Sequence, residues 1–286
     1  MHRRHFLQTA FGATATAAFG SRAPLWGAKA RQATDVVSLG PDKIKLTRLA
    51  IGTGTKGGSI QRQLGVDGVA NMLRWGYDQG LFFWETADAY KTHPHVAQAL
   101  KGVPREKVTL LTKTRARTAD ELKADLDRFR TELGTDYIDI VLLHANRSPK
   151  WTEERAGAME ALAEARQKKI IRSHGCSNHS LEALQLAART PWVQVNLARI
   201  NPVGMLMDSD PKAVVAVLRQ MKAAGKGVIG MKILGEGGLK DRVDEALSYA
   251  LELDCVDCFT IGPGNRDELA DLIKRIPLSS EMPKAA

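Results

Sequence analysis

From about residue 49 to residue 276, a short apolar run of strand character is followed, eight times over, by a segment with helical periodicity. Eight strand–helix units within about 250 residues fit a closed α/β (β/α)8 TIM barrel better than an open doubly wound sheet. The first strand ends at Ile51-Gly52, and the others are expected at Leu81 to Thr86, Val108 to Thr112, Tyr137 to Leu143, Ile170 to His174, Val193 to Leu197, Gly227 to Ile233 and Val256 to Ile261. Helices are expected near Val66 to Gln79, Val96 to Lys101, Glu153 to Lys168 and Asp241 to Leu253. Thr118, Ser180, Asp210 and Asn265 read as N-caps of the remaining helices, and Gly134 reads as the stop of the helix that Thr118 opens. Ahead of the alternation, VVSLGPDKIKLT reads as a hairpin turning at Gly40-Pro41-Asp42.

Residues 1–30 stand apart from this pattern. Arg3 and Arg4 precede a weakly apolar Ala/Thr/Gly stretch, and Ala28-Lys29-Ala30 has the A-x-A form of a cleavage site. The stretch resembles a twin-arginine export signal, an address read by the export machinery. It is too short and too interrupted to span a bilayer and contains no cysteine to anchor by lipid. The other reading is a basic N-terminal arm. The expected organisation is a signal over 1–30, a barrel over 31–286, and a periplasmic or otherwise exported mature protein. Without the four cations of the first segment the formal net charge falls from +9 to +5. That excess mildly favours anionic ligands such as nucleotide phosphates. No basic run interleaved with aromatics and no zinc-type spacing points to nucleic acid.

Cys176, Cys255 and Cys258 are the three cysteines. Cys255 and Cys258 have C-x-x-C spacing inside an apparent strand, where positions three apart face opposite sides about 10 Å apart, too far for a disulfide. A pair at a strand's first turn could still close, but packing is the expected role.

In a barrel the chemistry sits at the C-terminal ends of the strands. Glu85 ends the second strand in LFFWETADAY, with Tyr90 five residues on; Lys113 ends the third and His144 the fourth. Strand parity with Glu85 inward turns Leu81 and Phe83 inward and Phe82 and Trp84 toward the helices, and puts His144 on the face of Ile140 and Leu142. A phenol with an unperturbed pKa near about 10 is a poor proton relay at neutral pH, so an adjacent ammonium that stabilises the phenolate, held by a carboxylate, makes chemical sense. A neutral imidazole can donate a hydrogen bond to an oxygen on which charge develops.

The stretches ETADAY, LLTK, DIVLLH and GCSN, in this order behind a hairpin, resemble the aldo-keto reductase family over about residues 36 to 276. The resemblance implies reversible reduction of an aldehyde or ketone with hydride from a nicotinamide cofactor, Tyr90 acting as general acid beside Lys113, His144 orienting the carbonyl substrate, and Glu85 standing where the family usually has aspartate. It further implies that Ser177, Asn178 and Gln194 hold the nicotinamide carboxamide, and that Met231, at the position of a stacking aromatic, opens a pyrophosphate loop through Lys232, Leu234 and Gly235. The loop Gly264-Asn265-Arg266 before the last helix falls at the barrel's usual phosphate site. Family habit favours NADP, with NAD as the other candidate: Arg266 could meet a 2′-phosphate that Glu268 would repel. Lys56 and Trp151 are expected as walls of an open substrate pocket, since the sequence shows no long C-terminal loop. Glu85 and Met231 also suit a catalytically silent nucleotide-binding barrel acting as a redox sensor or partner subunit. An unrelated barrel enzyme would need a metal or a carboxylate pair at the strand ends, and the sequence offers neither.

Overall fold

A computed structural model describes residues 30–282. The signal expected over residues 1–30 therefore lies outside the described residues, apart from Ala30. Two antiparallel strands, β1 (Val36–Leu39) and β2 (Ile44–Thr47), form the expected hairpin, paired from Val36↔Thr47 to Leu39↔Ile44. Its turn takes Gly40 at φ 60, a conformation glycine adopts without strain. Eight parallel strands then close into a barrel, in the order β3 (Leu49–Gly52), β4 (Phe83–Glu85), β5 (Thr109–Thr114), β6 (Ile138–Asn146), β7 (Ile171–Asn178), β8 (Val195–Arg199), β9 (Gly227–Met231) and β10 (Cys258–Ile261), with β10 returning to β3.

Helices fill the connections: α1 (Ser59–Gln63) and α2 (Gly65–Asp78), α3 (His93–Leu100), α4 (Ala119–Leu133), α5 (Trp151–Glu154) and α6 (Ala156–Gln167), α7 (Leu181–Arg189), α8 (Pro211–Ala223), α9 (Val243–Glu252) and α10 (Arg266–Ser280). None of the described helices is long and apolar enough to cross a membrane. The starts of α4, α7, α8 and α10 are the capped ones foreseen. Thr118 and Glu121 form a reciprocal capping box on α4, and the side chains of Ser180, Asp210 and Asn265 each accept a backbone N–H. Gly134 ends α4 in the left-handed conformation.

The core has two layers, as a barrel requires. Phe83, Leu111, Ile140, Leu142, Val195, Leu197 and Ile229 fill the interior, while Trp84, Leu110, Val141, Leu143 and Cys176 pack outward under the helices. Leu39, Ile44 and Leu46 of the hairpin join the inner layer. They close the end where the strands begin, because Lys45 O accepts from Thr109 Oγ1 and Thr47 Oγ1 accepts from Phe83 N. The opposite end, where the strands finish, is left for the site.

Several boundaries moved. β7 runs through GCSN to Asn178 instead of stopping at His174, and β8 is shifted two residues onward to Val195–Arg199. β7 continues through Gly175, Cys176, Ser177 and Asn178 and β8 through Ala198 and Arg199, and an apolar-run criterion reads such mixed residues as a strand's end. β9 stops at Met231, and α10 continues past Ile276 through Pro277 to Ser280. Leu81 precedes β4 and joins the outer layer, contrary to the parity expectation; Phe83 is inward and Trp84 outward as expected. Cys176, Cys255 and Cys258 are free and buried, and Cys255 lies before β10 begins.

Gly175 in β7 is in register with Val195 of β8, and a methyl group there would overlap the Val195 carbonyl. The substitution Gly175→Ala must force two barrel strands apart. We expect it to destabilise the protein by about 3 kcal/mol, the upper range for overpacking, read as a fall in the urea midpoint at unchanged slope.

Candidate active site

Strand geometry brings the four strand-end residues together. Glu85 is the last residue of β4, Lys113 is near the end of β5, His144 lies on the inward face of β6, and Tyr90 closes a single 3-10 turn (Asp88–Tyr90) just above β4. The Lys113 side chain is wholly buried, so each of its three donors needs an acceptor. Nζ donates to Glu85 Oε1, to the Thr86 carbonyl at 2.8 Å and to the Tyr90 hydroxyl at 3.2 Å. The second Glu85 oxygen accepts from Thr260 Oγ1 at 3.2 Å. Lys113 Nζ also lies 4.5 Å from the centre of the Tyr90 ring. His144 stands edge-on to that ring, with centroids 5.7 Å apart and planes at 89°.

Burial dominates the electrostatics. It pushes the Tyr90 phenol well above its ordinary value, and the negative charges of Glu85 and Glu236 push the same way. Lys113 is lowered by its own burial, which Glu85 opposes. The sequence led to the expectation of a phenol loosened by the lysine. The structure instead holds Tyr90 protonated, because the loss of water first, and then the carboxylate behind the lysine, act against the phenolate. His144 is pushed down to about 2, by burial first and then by Lys113, Arg115, His179 and Arg155. It is a neutral imidazole at any ordinary pH, and its Nδ1 is buried without a protein partner.

The loop after β3 seats the tyrosine. A methyl group on Gly54 would overlap the Tyr90 ring, and one on Gly58 would press on the Tyr90 carbonyl, which accepts from Arg62. Below, Thr53, Thr86 and Thr92 form a buried chain of hydroxyls, at 2.8 Å and 2.9 Å, with Thr53 Oγ1 donating to the Glu85 carbonyl at 3.1 Å. None of these residues was singled out from the sequence. A glycine in a loop and a buried threonine leave no periodic signal, and only the position of Thr260 at a strand end could have hinted at its role.

Beside Tyr90 and Glu85 a cavity of about 520 Å³ opens among the loops after β3, β9 and β10. Met231, Lys232, Leu234 and Gly264, four of the expected cofactor residues, line it, as does Lys56. Gly235 adjoins them in the turn Gly235–Gly237. The lining suits a dinucleotide: glycine backbones at 52, 54, 262 and 264 permit close approach, Lys56 and Lys240 supply positive charge beside a Lys232–Glu236 pair, and Met231, Leu234 and Ile261 supply apolar surface, while Asp271 adds a negative charge. Glu268 also lines it and occupies the Gly264 amide, accepting that N–H at 2.6 Å.

Gln194, Asn265, Arg266 and Trp151 do not line this cavity, and Ser177 and Asn178 end β7 at the mouth. Gln194 precedes β8 at the hairpin end of the barrel, where its amide donates to the Pro191 and Trp192 carbonyls. The polar ladder that carries β8 onward leaves it a strand's length from the mouth. Arg266 stacks on Trp75 at 4.7 Å, and the Asn265 side chain caps α10. Trp151 is buried, its indole donating to the Ala183 carbonyl, and is not a pocket wall. Ser177 Oγ accepts from Ala145 N at 2.9 Å, holding a bulge in β6 where Ala145 takes φ 56 directly after His144. Asn178 bonds Asn196 at 2.8 Å and Asn146 at 3.4 Å. Ser177 thus ties β7 to β6, and Asn178 ties it to both β6 and β8.

The aldo/keto reductase family model matches residues 48–249. Among curated proteins, the chain is 30% identical over 142 residues to the 9,11-endoperoxide prostaglandin H2 reductase of Trypanosoma cruzi, covering 47% of this chain and 48% of that protein. It is 30% identical over 168 residues to the aldo-keto reductase YhdN of Bacillus subtilis (52% and 49%), and 29% over 178 residues to the NAD/NADP-dependent indole-3-acetaldehyde reductase of Schizosaccharomyces pombe (58% and 59%). The chain thus spans about half the length of the curated relatives it matches. Solved structures share the fold. The Bombyx mori aldo-keto reductase AKR2E4 in complex with NADP has TM-score 0.66 at 18% identity, over 88% of this chain and 89% of that one. The holo form of aldo-keto reductase AKR11C1 from Bacillus halodurans has TM-score 0.65 at 19% identity, over 88% and 92%.

Because the folded His144 resists protonation that an unfolded histidine accepts below its ordinary 6.5, the unfolded state binds more protons as pH falls, and stability falls with it. At pH 5 this one group costs about 2 kcal/mol relative to neutral pH. We expect the loss of urea stability between pH 7 and pH 5 to shrink by about that amount in His144→Gln.

Proposed function

The chain belongs to the aldo/keto reductase family, and we propose that it is an NAD(P)-dependent oxidoreductase that reversibly reduces an aldehyde or ketone to an alcohol, with Tyr90 as general acid. The observation that supports this most directly is the Tyr90 hydroxyl 3.2 Å from a fully buried ammonium, at the edge of a cavity suited to a dinucleotide.

When bound, the nicotinamide cofactor supplies the hydride, and family members use NADP(H) or NAD(H). The chain's own residues supply the rest. Met231, Lys232, Leu234 and Gly264 line the cavity that would hold the cofactor, with Gly235 beside them. Tyr90, kept protonated by burial, gives its proton to the carbonyl oxygen as charge develops there. The phenolate left behind gains the Lys113 ammonium as its neighbour, and Glu85 with the Thr86 carbonyl fixes that ammonium in place. Neutral His144 faces the same oxygen as a hydrogen-bond donor, and its inability to charge prevents it from competing as an acid. Export through the twin-arginine route is a second part of the proposal, supported by Arg3, Arg4 and the Ala28-Lys29-Ala30 pattern.

Two outcomes test the reading. Tyr90→Phe should lower carbonyl reduction by about a hundredfold or more while changing the fluorescence-titrated Kd for cofactor by less than about threefold; full turnover in that variant would remove Tyr90 from its role. Glu268→Gln withdraws a negative charge from the cavity and should strengthen NADPH binding relative to NADH, by up to about tenfold for a partly screened charge, in the same titration.

A further inference from the structure

The two halves of the barrel mouth differ in charge. The cavity half, over β9, β10 and β3, mixes Lys56, Lys232 and Lys240 with Glu236, Glu268 and Asp271. The other half, beyond His144, is rimmed by arginines. Arg115 directly follows β5, Arg147 directly follows β6, and Arg155 sits between α5 and α6 with Nη1 donating to the His144 carbonyl at 3.3 Å. Arg199 ends β8 on the inward face shared by Val195 and Leu197.

The acids on this rim are largely committed. Asp208 pairs with Arg199, and Glu154 with Arg117 at 3.4 Å. Glu121 accepts the Arg117 and Thr118 backbone N–H groups at the start of α4, and Asp125 and Asp88 pair with Arg128. Arg115, Arg147 and Arg155 have no carboxylate within 4.0 Å among the described residues. Exposed arginines are commonly just solvated, and one alone would mean little. Here Arg115 and Arg147 follow the ends of neighbouring strands, Arg155 reaches the His144 carbonyl from the junction of α5 and α6, and Arg115 acts on Arg155. Arg155, half-buried, is lowered by burial first, then by Arg117 and Arg115, with Cys176 and Glu154 opposing; Arg115 also acts on His144 and His179, and Arg147 on His179. Like charges gathered over a partly desolvated surface raise the free energy of the empty site, and an anion relieves it.

We propose, resting on the reductase reading above, that the carbonyl substrate carries an oxyanion, a carboxylate or a phosphate, seated by Arg115, Arg147 and Arg155 while its carbonyl meets Tyr90 and His144. Guanidinium groups match both oxyanions through paired hydrogen bonds. The seat lies on the far side of His144 from the cofactor cavity, so the same substrate leaves that cavity free.

The test uses two pairs of aldehydes that differ in charge and keep the carbonyl: 4-carboxybenzaldehyde with its methyl ester, and glyceraldehyde 3-phosphate with glyceraldehyde. Turnover is measured with saturating cofactor on the wild type and on the R115Q/R147Q double variant. The anionic member of at least one pair should be preferred in kcat/KM by about tenfold or more, the effect of one charge-assisted contact. That ratio should fall toward one in the variant and with rising salt, and the pair with the larger ratio identifies the oxyanion. Ratios near one for both pairs, or a ratio that the variant leaves intact, would overturn the proposal. Failure to reduce any of the four would instead overturn the reductase reading. The two anions are then titrated calorimetrically: binding weakened about tenfold in the variant supports the seat, and absent or unchanged binding rejects it.

Discussion

A lysine ammonium wholly enclosed by a protein is tolerated only with a carboxylate and hydrogen-bond acceptors around it, since removing one partner of such a pair costs about 3–5 kcal/mol. Lys113 has that shell in Glu85, the Thr86 carbonyl and the Tyr90 hydroxyl. The demand spreads outward. Glu85 must be held in turn, and Thr260 from the last strand does so, while Gly52 leaves room because a methyl there would press on both Thr260 and Glu85. Barrel closure between β10 and β3 is what brings Thr260 to Glu85, so the site depends on the ring being complete.

In the proposed reaction the same shell selects the acid. Enclosure lowers Lys113 and Glu85 opposes it, while burial first and that same carboxylate second disfavour the phenolate. Tyr90 therefore holds its proton until a partner oxygen develops charge, and His144 cannot supply one at ordinary pH. Glycines at 54 and 58 set the tyrosine's position from the first loop. The mouth thus divides into a glycine-rich cavity of mixed charge, the proposed dinucleotide site, and an arginine rim beyond the imidazole.

Much of this was legible in the sequence because a barrel exposes its chemistry at a fixed place, the ends of strands. Glu85, Lys113 and His144 each interrupt an apolar run at its C-terminal end, and the caps at Thr118, Ser180, Asp210 and Asn265 mark helix starts. The illegible parts have a common cause. β7 and β8 continue through polar residues whose partners are across the sheet, so Gln194, placed near the mouth by family likeness, sits a strand's length away from it. From the sequence Arg266 could meet a 2′-phosphate; in the fold its guanidinium lies over the ring of Trp75, 191 positions earlier in the chain. The phenol's raised pKa depended on burial, which the sequence pattern does not quantify.

The central claim is that a protonated Tyr90 delivers the proton. Its most direct test is the pH dependence of the reduction step itself, followed in a single turnover of cofactor-loaded protein with an aldehyde between about pH 6 and pH 9, below the ordinary phenol value. The account predicts a rate constant flat across that range in the wild type, since neither Tyr90 nor His144 changes protonation within it. A limb near neutral pH would mean that some other group supplies the proton, and would contradict the assignment.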